Sequence, residues 1–205
     1  TLPCPSPPLS HSSGFSLHDT RATPARVLRQ TFSPVLATVN STCWSSARTW
    51  LESTSASLVC LQEHRLDQAG TNSASAELEL AGWTSVWRPA VIAVSGLSGG
   101  VAVLARHGIG LVDADVQTAQ PHRLVGVHVE CPGMQDFMLQ SVYGTLKIGM
   151  SGLNADLAAD SFAAFGGGRH CGWVGGDWNL EPDEFVSSGL LTKTSAKIVA
   201  PPNPT

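Results

Sequence analysis

Short apolar runs recur along this chain, and three of them end on a carboxylate or carboxamide. Val35-Leu36-Ala37-Thr38-Val39 delivers Asn40, Leu58-Val59-Cys60-Leu61-Gln62 delivers Glu63, and the run into Gly175-Gly176 delivers Asp177. Uninterrupted runs of this length predict buried strands. The pattern predicts a strand over about 35–40, then a helix over about 43–56 with Trp44, Ala47, Trp50 and Leu51 on one stripe, then a strand over about 58–63. Glu77-Leu78-Glu79-Leu80 reads as a short helix closed by Gly82. Strand-like pieces follow near 83–88, 100–106, 109–113, 123–131 and 136–143, parted by Gly, Pro or Asp turns. A helix over about 154–165 stops at Gly166-Gly167-Gly168, and the strand that carries Asp177 comes next. Hairpins mixed with crossovers predict α/β layers. Residues 1–33, rich in Pro and Ser and without apolar periodicity, predict a disordered leader before one domain over 34–205.

The chemistry sits at the strand ends. In Gly175-Gly176-Asp177-Trp178-Asn179 the polar pair is spaced i and i+2, which on a strand turns both to one face and Trp178 to the other. Three strands ending on oxygen-bearing side chains predict one oxygen-rich site at a sheet edge, suited to a hard metal and a phosphate. Each residue also has a plainer reading. Asp177 and Asn179 are turn formers, Asn40 is a good cap for a helix starting near Ser41, Glu63 could be a solvated strand end, and Tyr143 a half-buried aromatic. His64, one residue after Glu63, is expected to face away from the site, and His170 to lie at the far end of its strand. Ser98-Gly99-Gly100 reads as a turn. Trp83, Trp87 and Arg88 fit core packing better than a stacking surface.

Composition narrows the field. With 42% hydrophobic and 14% charged residues, 205 residues suffice for one sizeable core. A net charge of −4 is not the footprint of a protein held to nucleic acid by a global basic field. The five cysteines are scattered without metal-finger spacing, and their odd number points to a reducing, intracellular compartment. No run is long enough for a membrane span, and no signal peptide is evident; Val91–Leu104 is broken by Ser95-Gly96 and Ser98-Gly99-Gly100.

Asn40 after a strand, Leu61-Gln62-Glu63, Ser98-Gly99-Gly100-Val101-Ala102, Val142-Tyr143-Gly144 and Gly176-Asp177-Trp178-Asn179 occur in an order and spacing that resembles the endonuclease/exonuclease/phosphatase superfamily, which includes DNase I-like and exonuclease III-like enzymes. The resemblance covers residues 35–182. It implies an α/β fold of two packed mixed β-sheets flanked by helices, a four-layer sandwich. It also implies Mg²⁺- or Mn²⁺-assisted cleavage of a phosphoester, with nucleic acid (DNA before RNA) as the first candidate substrate. By that analogy Glu63 binds the metal with Asn40 in support, Asp177 orients or deprotonates water, Asn179 holds the phosphate, and Tyr143 donates to it. The superfamily also places an Asp-His pair downstream of the Gly-Asp-x-Asn motif, whereas all seven histidines here precede it. The resemblance therefore implies a fold incomplete at the C-terminus. Two alternatives accompany the nuclease reading: a non-catalytic remnant of the fold, and a small-molecule or lipid phosphoesterase.

Overall fold

The computed structural model describes residues 33–94, 96–166 and 171–199. The leader expected over 1–33 lies almost entirely outside them, as does His170. Two four-stranded mixed sheets form the centre. The first contains β1 (Leu36–Asn40), β2 (Leu58–Gln62), β3 (Trp83–Arg88) and β6 (Val101–Arg106) in the order β1-β2-β6-β3. The second contains β7 (Gly110–Asp113), β8 (Leu124–Glu130), β9 (Phe137–Tyr143) and β10 (Gly172–Asp177) in the order β10-β9-β8-β7. Each sheet has one parallel pair, β1 with β2 and β10 with β9, and its other pairings are antiparallel.

Period-two alternation sorts the side chains of these strands into layers. Leu58 and Cys60 of β2, and Val101, Val103 and Ala105 of β6, face Val125, Val127, Val129 and Leu139 of the other sheet. Val59, Leu61, Ala102 and Leu104, one residue out of phase, face away from that interior. They are covered by α1 (Trp44–Ser53) through Ala47 and Leu51, and by α2 (Gln68–Leu80) through Leu78. On the outer face of the second sheet, α3 (Leu153–Ala163) sets Leu157 against Leu124 and Val142. The layers run helix, sheet, sheet, helix, as expected. Each fully buried Leu or Val contributes roughly 1.5–3 kcal/mol.

The strand assignments hold to within about two residues, and the departures have physical reasons. The helix expected at 77–80 begins at Gln68, because the Asp67 carboxylate caps it by accepting from the Gly70 N–H at 2.8 Å. Its buried stripe of Thr71, Ala74 and Leu78 is too weakly apolar to show in the sequence. A further strand pair, β4 (Val91–Ala93) antiparallel with β5 (Gly96–Ser98), forms a small hairpin. Two short helices, α4 (Pro182–Ser187) and α5 (Leu190–Thr194), follow Asp177. Among the described residues no helix is long and apolar enough to cross a membrane.

Candidate active site

Parallel pairing decides where the strand ends meet. β1 and β2 run together with Asn40 opposite Gln62, so Asn40 and Glu63 leave the first sheet at the same end. β9 and β10 run together with Tyr143 opposite Asp177. The two ends converge, and the Asn40 Nδ2 donates to Asp177 Oδ2 at 2.5 Å. The site is therefore a seam between two sheets, not the edge of one as the strand-end pattern predicts. Apposition of the sheets requires small side chains beneath the seam: a Cβ on Gly175 would lie 2.9 Å from the Cys60 sulfur. A buried polar chain ties the sheets just below. Thr38 Oγ1 donates to Gln62 Oε1 at 3.2 Å, Gln62 Nε2 donates to Ser141 Oγ at 2.8 Å, and Ser141 Oγ donates to the Leu61 carbonyl at 3.0 Å.

The two polar loops do not continue their strands. Glu63 has φ +57° and Asn179 φ +50°, both left-handed, a conformation that costs of order 1–3 kcal/mol and concentrates at functional sites. Asp177 and Asn179 thus come together by a turn and not by strand alternation: the Asn179 N–H donates to Asp177 Oδ1 at 3.0 Å, and its Nδ2 donates to the Gly144 carbonyl at 2.9 Å. Trp178 does pack inward, edge-on to Phe185 with centroids 4.8 Å apart. Gly144 allows the two loops to touch. Its N–H donates to the Asp177 carbonyl at 2.7 Å, and a Cβ there would lie 1.9 Å from the Trp178 carbonyl oxygen.

Glu63 is mostly enclosed, its side chain 14% exposed, and it forms an ion pair with Arg65. That contact holds the Arg65 guanidinium even more firmly protonated than usual. Tyr143 completes the wall. Burial first, then the Glu63 and Asp177 carboxylates, raise its phenol above the ordinary value, so it stays protonated as a donor. Arg123 lies over the Tyr143 ring at 4.9 Å and donates to the Tyr143 and Gly144 carbonyls at 3.1 and 3.0 Å. Asn154, fully buried at the start of α3, holds the next turn by donating to the Thr145 and Gly149 carbonyls and accepting from the Thr145 N–H. All five expected site residues, Asn40, Glu63, Tyr143, Asp177 and Asn179, line one seam.

Arg65, Arg123 and the Thr38–Gln62–Ser141 chain were not anticipated. Arg65 carries the one legible signal, a cation two residues from Glu63; nothing in the sequence around Arg123 marks it. His64 is buried under the seam, its ring 5.0 Å from that of Trp87, and a Cβ on Gly100 would lie 2.5 Å from it. The Leu66 N–H donates to its Nδ1 at 3.1 Å, leaving Nε2 protonated and without a hydrogen-bond partner. Burial lowers its pKa to about 4, outweighing the nearby backbone of Arg88 and Val101. Trp83 is core, under the Arg106 guanidinium, and Arg88 pairs with Asp113 at 2.8 Å, so the three residues form no open stacking surface.

No family model matches the chain, and no curated protein matches it by sequence. Solved structures do match its fold. The human nocturnin catalytic domain superposes with a TM-score of 0.54 at 19% identity, over 73% of this chain and 60% of that domain. The Neisseria 3′ phosphatase NExo, bound to product DNA hairpin, gives 0.54 at 18%, over 80% of this chain and 70% of its own. An endonuclease/exonuclease/phosphatase family protein from Leptotrichia buccalis gives 0.52 at 16%. This is the endonuclease/exonuclease/phosphatase fold, DNase I-like in its layers. The chain spans less than two thirds of the nocturnin domain that carries the same fold.

The strand-end pattern leads to the expectation of a hard divalent cation, and the donor set can be judged against one. Among the described residues no three His, Cys, Asp or Glu side chains cluster. Glu63 and Asp177 with the Asn40 carboxamide nevertheless form a hard, all-oxygen set. Such a set suits Mg²⁺, which takes one or two carboxylates and retains several waters. As a donor set these residues fit that ion, although the Glu63 carboxylate is held by Arg65.

Proposed function

We propose that this protein is a metal-dependent phosphodiester hydrolase, most simply an endonuclease-type nuclease acting on DNA. The carrying observation is the Asn40–Asp177 hydrogen bond, which joins the two sheets' polar strand ends into one seam. Glu63 and Asn40 would hold a Mg²⁺ or Mn²⁺ ion, which would supply positive charge for the phosphoryl oxygens. The protein's own groups do the rest. Asp177, aimed by neutral N–H donors on both oxygens, orients a water and accepts its proton as the water attacks phosphorus; the opposite P–O ester bond breaks, and the departing oxygen takes its proton from solvent. The Asn179 carboxamide and the Tyr143 hydroxyl stand where they can donate to the phosphate, and the fixed loops keep those donors preorganised. Structures sharing this fold include a phosphatase bound to product DNA, an AP endonuclease from Leishmania major and the endonuclease domain of the retrotransposon TRAS1. They support nucleic acid as the substrate class.

The test is plasmid nicking with added Mg²⁺, alongside hydrolysis of bis(p-nitrophenyl) phosphate. Both activities are expected in the wild-type chain and expected to collapse in Asp177→Asn and Glu63→Gln. Undiminished activity in either variant sinks the site assignment; a wild-type chain inert toward both substrates sinks the hydrolase reading.

A further inference from the structure

A third segment ties the Glu63 loop to the Tyr143–Gly144 loop. It is the 3-10 turn Pro121–Arg123, which leads into β8. One anchor is the Gly99-Gly100 turn: the Gly100 N–H donates to the His122 carbonyl at 2.9 Å. The same glycine pair accepts from the Glu63 side, through the His64 N–H to Gly100 at 3.4 Å and the Arg65 N–H to Gly99 at 3.2 Å. A second anchor is Gln120, just before the turn, whose carboxamide donates to the Leu153 carbonyl of α3 at 2.8 Å. The third is Arg123 itself. Its Nη1 donates to the Tyr143 and Gly144 carbonyls, and its guanidinium lies 4.9 Å over the Tyr143 ring. The Gly144 carbonyl is a shared acceptor, taken by Arg123 at 3.0 Å and by Asn179 Nδ2 at 2.9 Å. One guanidinium thus reaches, directly or through a single oxygen, both groups that stand to donate to the phosphate.

We propose that Arg123 is a positioning residue: through the Tyr143 ring and the Gly144 carbonyl it aims the Tyr143 hydroxyl and the Asn179 carboxamide at the phosphate as one unit. The proposal rests on the hydrolase reading of the seam. The position is a costly one for a cation. Arg123 is half-buried, and burial pulls its pKa below the ordinary value against the opposing pull of Tyr143 and Glu63. Among the described residues no carboxylate forms a salt bridge with it. An uncharged side chain of similar length would fill the same volume. What it would lack is the planar fork, which holds two carbonyls while its flat face covers a ring. Because the turn is also bonded to Gly99-Gly100, the same fork sets Tyr143 relative to the Glu63 loop.

The test measures kcat and KM for bis(p-nitrophenyl) phosphate with Mg²⁺ in R123M and R123K, each made in the wild-type and the Tyr143→Phe background. A group misplaced by about 1 Å can cost on the order of 10²-fold, so both substitutions are expected to lower kcat by roughly 10–10²-fold with KM nearly unchanged. R123K keeps the charge and loses the fork, and it covers the case in which R123M fails to fold. In the Tyr143→Phe background the loss should be about tenfold smaller, because residues acting in one network do not add. A second readout needs no turnover. Tyr143 is the one tyrosine of the chain, so couplings across χ1 in isotope-labelled protein report a single side chain. One rotamer is expected in wild type, and averaging between rotamers in R123M and R123K. A single unchanged rotamer in R123K overturns the proposal. So does an equal kcat loss in both backgrounds, or a loss confined to KM, which would mark direct contact of Arg123 with the phosphate. A wild type that hydrolyses nothing, with Tyr143 still locked by Arg123, overturns the hydrolase reading alone.

Discussion

Glu63 and Asp177 end their strands alike and are held in opposite ways. Glu63, after β2, is balanced by a charge: Arg65 sits on its carboxylate and the Tyr143 phenol faces it. Asp177, at the end of β10, is held by neutral dipoles, the Asn40 carboxamide on one oxygen and the Asn179 N–H on the other. A carboxylate paired with a cation can exchange that cation for another. A carboxylate held by N–H donors on both oxygens keeps its aim. The first arrangement suits a metal ligand and the second a group that orients water, which is the division of labour proposed for them.

The sharpest way to break this comparison is to neutralise each carboxylate in turn. Asp177→Asn is expected to lower kcat by about 10²–10⁴-fold, the usual contribution of a positioned acid or base. Added Mn²⁺ should not restore it. Glu63→Gln should lose activity at low metal and recover part of it as Mn²⁺ is raised, with weaker Mn²⁺ binding by calorimetry. Identical metal dependence in the two variants would remove the distinction.

The two loops also differ in what lies beneath them. Under Glu63 the neutral His64 ring is buried with a pKa lowered to about 4, against 6.5 in the unfolded chain. The unfolded state binds the extra proton between those values, so this contribution to stability is present above pH 6.5 and lost as pH falls toward 4. It amounts to about 3 kcal/mol across that window. Urea denaturation from pH 7 to 4 should show the loss, and His64→Gln should flatten it; parallel profiles would count against the assignment. Under Asp177 the constraint is steric. Gly144→Ala must displace the Trp178 carbonyl, and overpacking of this kind costs typically 1–3 kcal/mol. Activity should fall further than stability does, because Asp177 and Asn179 move with that carbonyl. An alanine variant with wild-type kcat would show the contact to be slack.

The layers were legible in the sequence, because β2, β6, β8 and β9 are short apolar runs between turn residues and their alternation sorts two cores. The five polar strand-end residues were legible too, as residues. Their geometry was not. Alternation predicts that Asp177 and Asn179 share a strand face, but left-handed backbone at Glu63 and Asn179 ends the pleat, and the Gly144 carbonyl that holds the Asn179 carboxamide is far away in sequence. α2 was read short because its buried stripe relies on Thr71 and Ala74. The β4–β5 hairpin was missed because its aliphatic residues face solvent, where a hydrophobic pattern implies burial.

Arg65 gives the finest cut of the comparison, and the smallest effect. Its side chain is about half exposed, so the ion pair with Glu63 should contribute only about 0–1 kcal/mol to stability, and Arg65→Ala should melt near wild type. Its effect on the site should be of the opposite sign. Removing a positive charge from the ligand carboxylate spares an incoming divalent cation a repulsion of about 2 kcal/mol at 4 Å in water, at most roughly thirtyfold in affinity and less as salt screens it. Mn²⁺ titration followed by calorimetry reads this without turnover. Tighter binding in Arg65→Ala, with stability nearly unchanged, would identify the arginine as a placeholder that the metal displaces from Glu63. Weaker binding would mean that Arg65 aims the carboxylate, making Glu63, like Asp177, a group held for its direction.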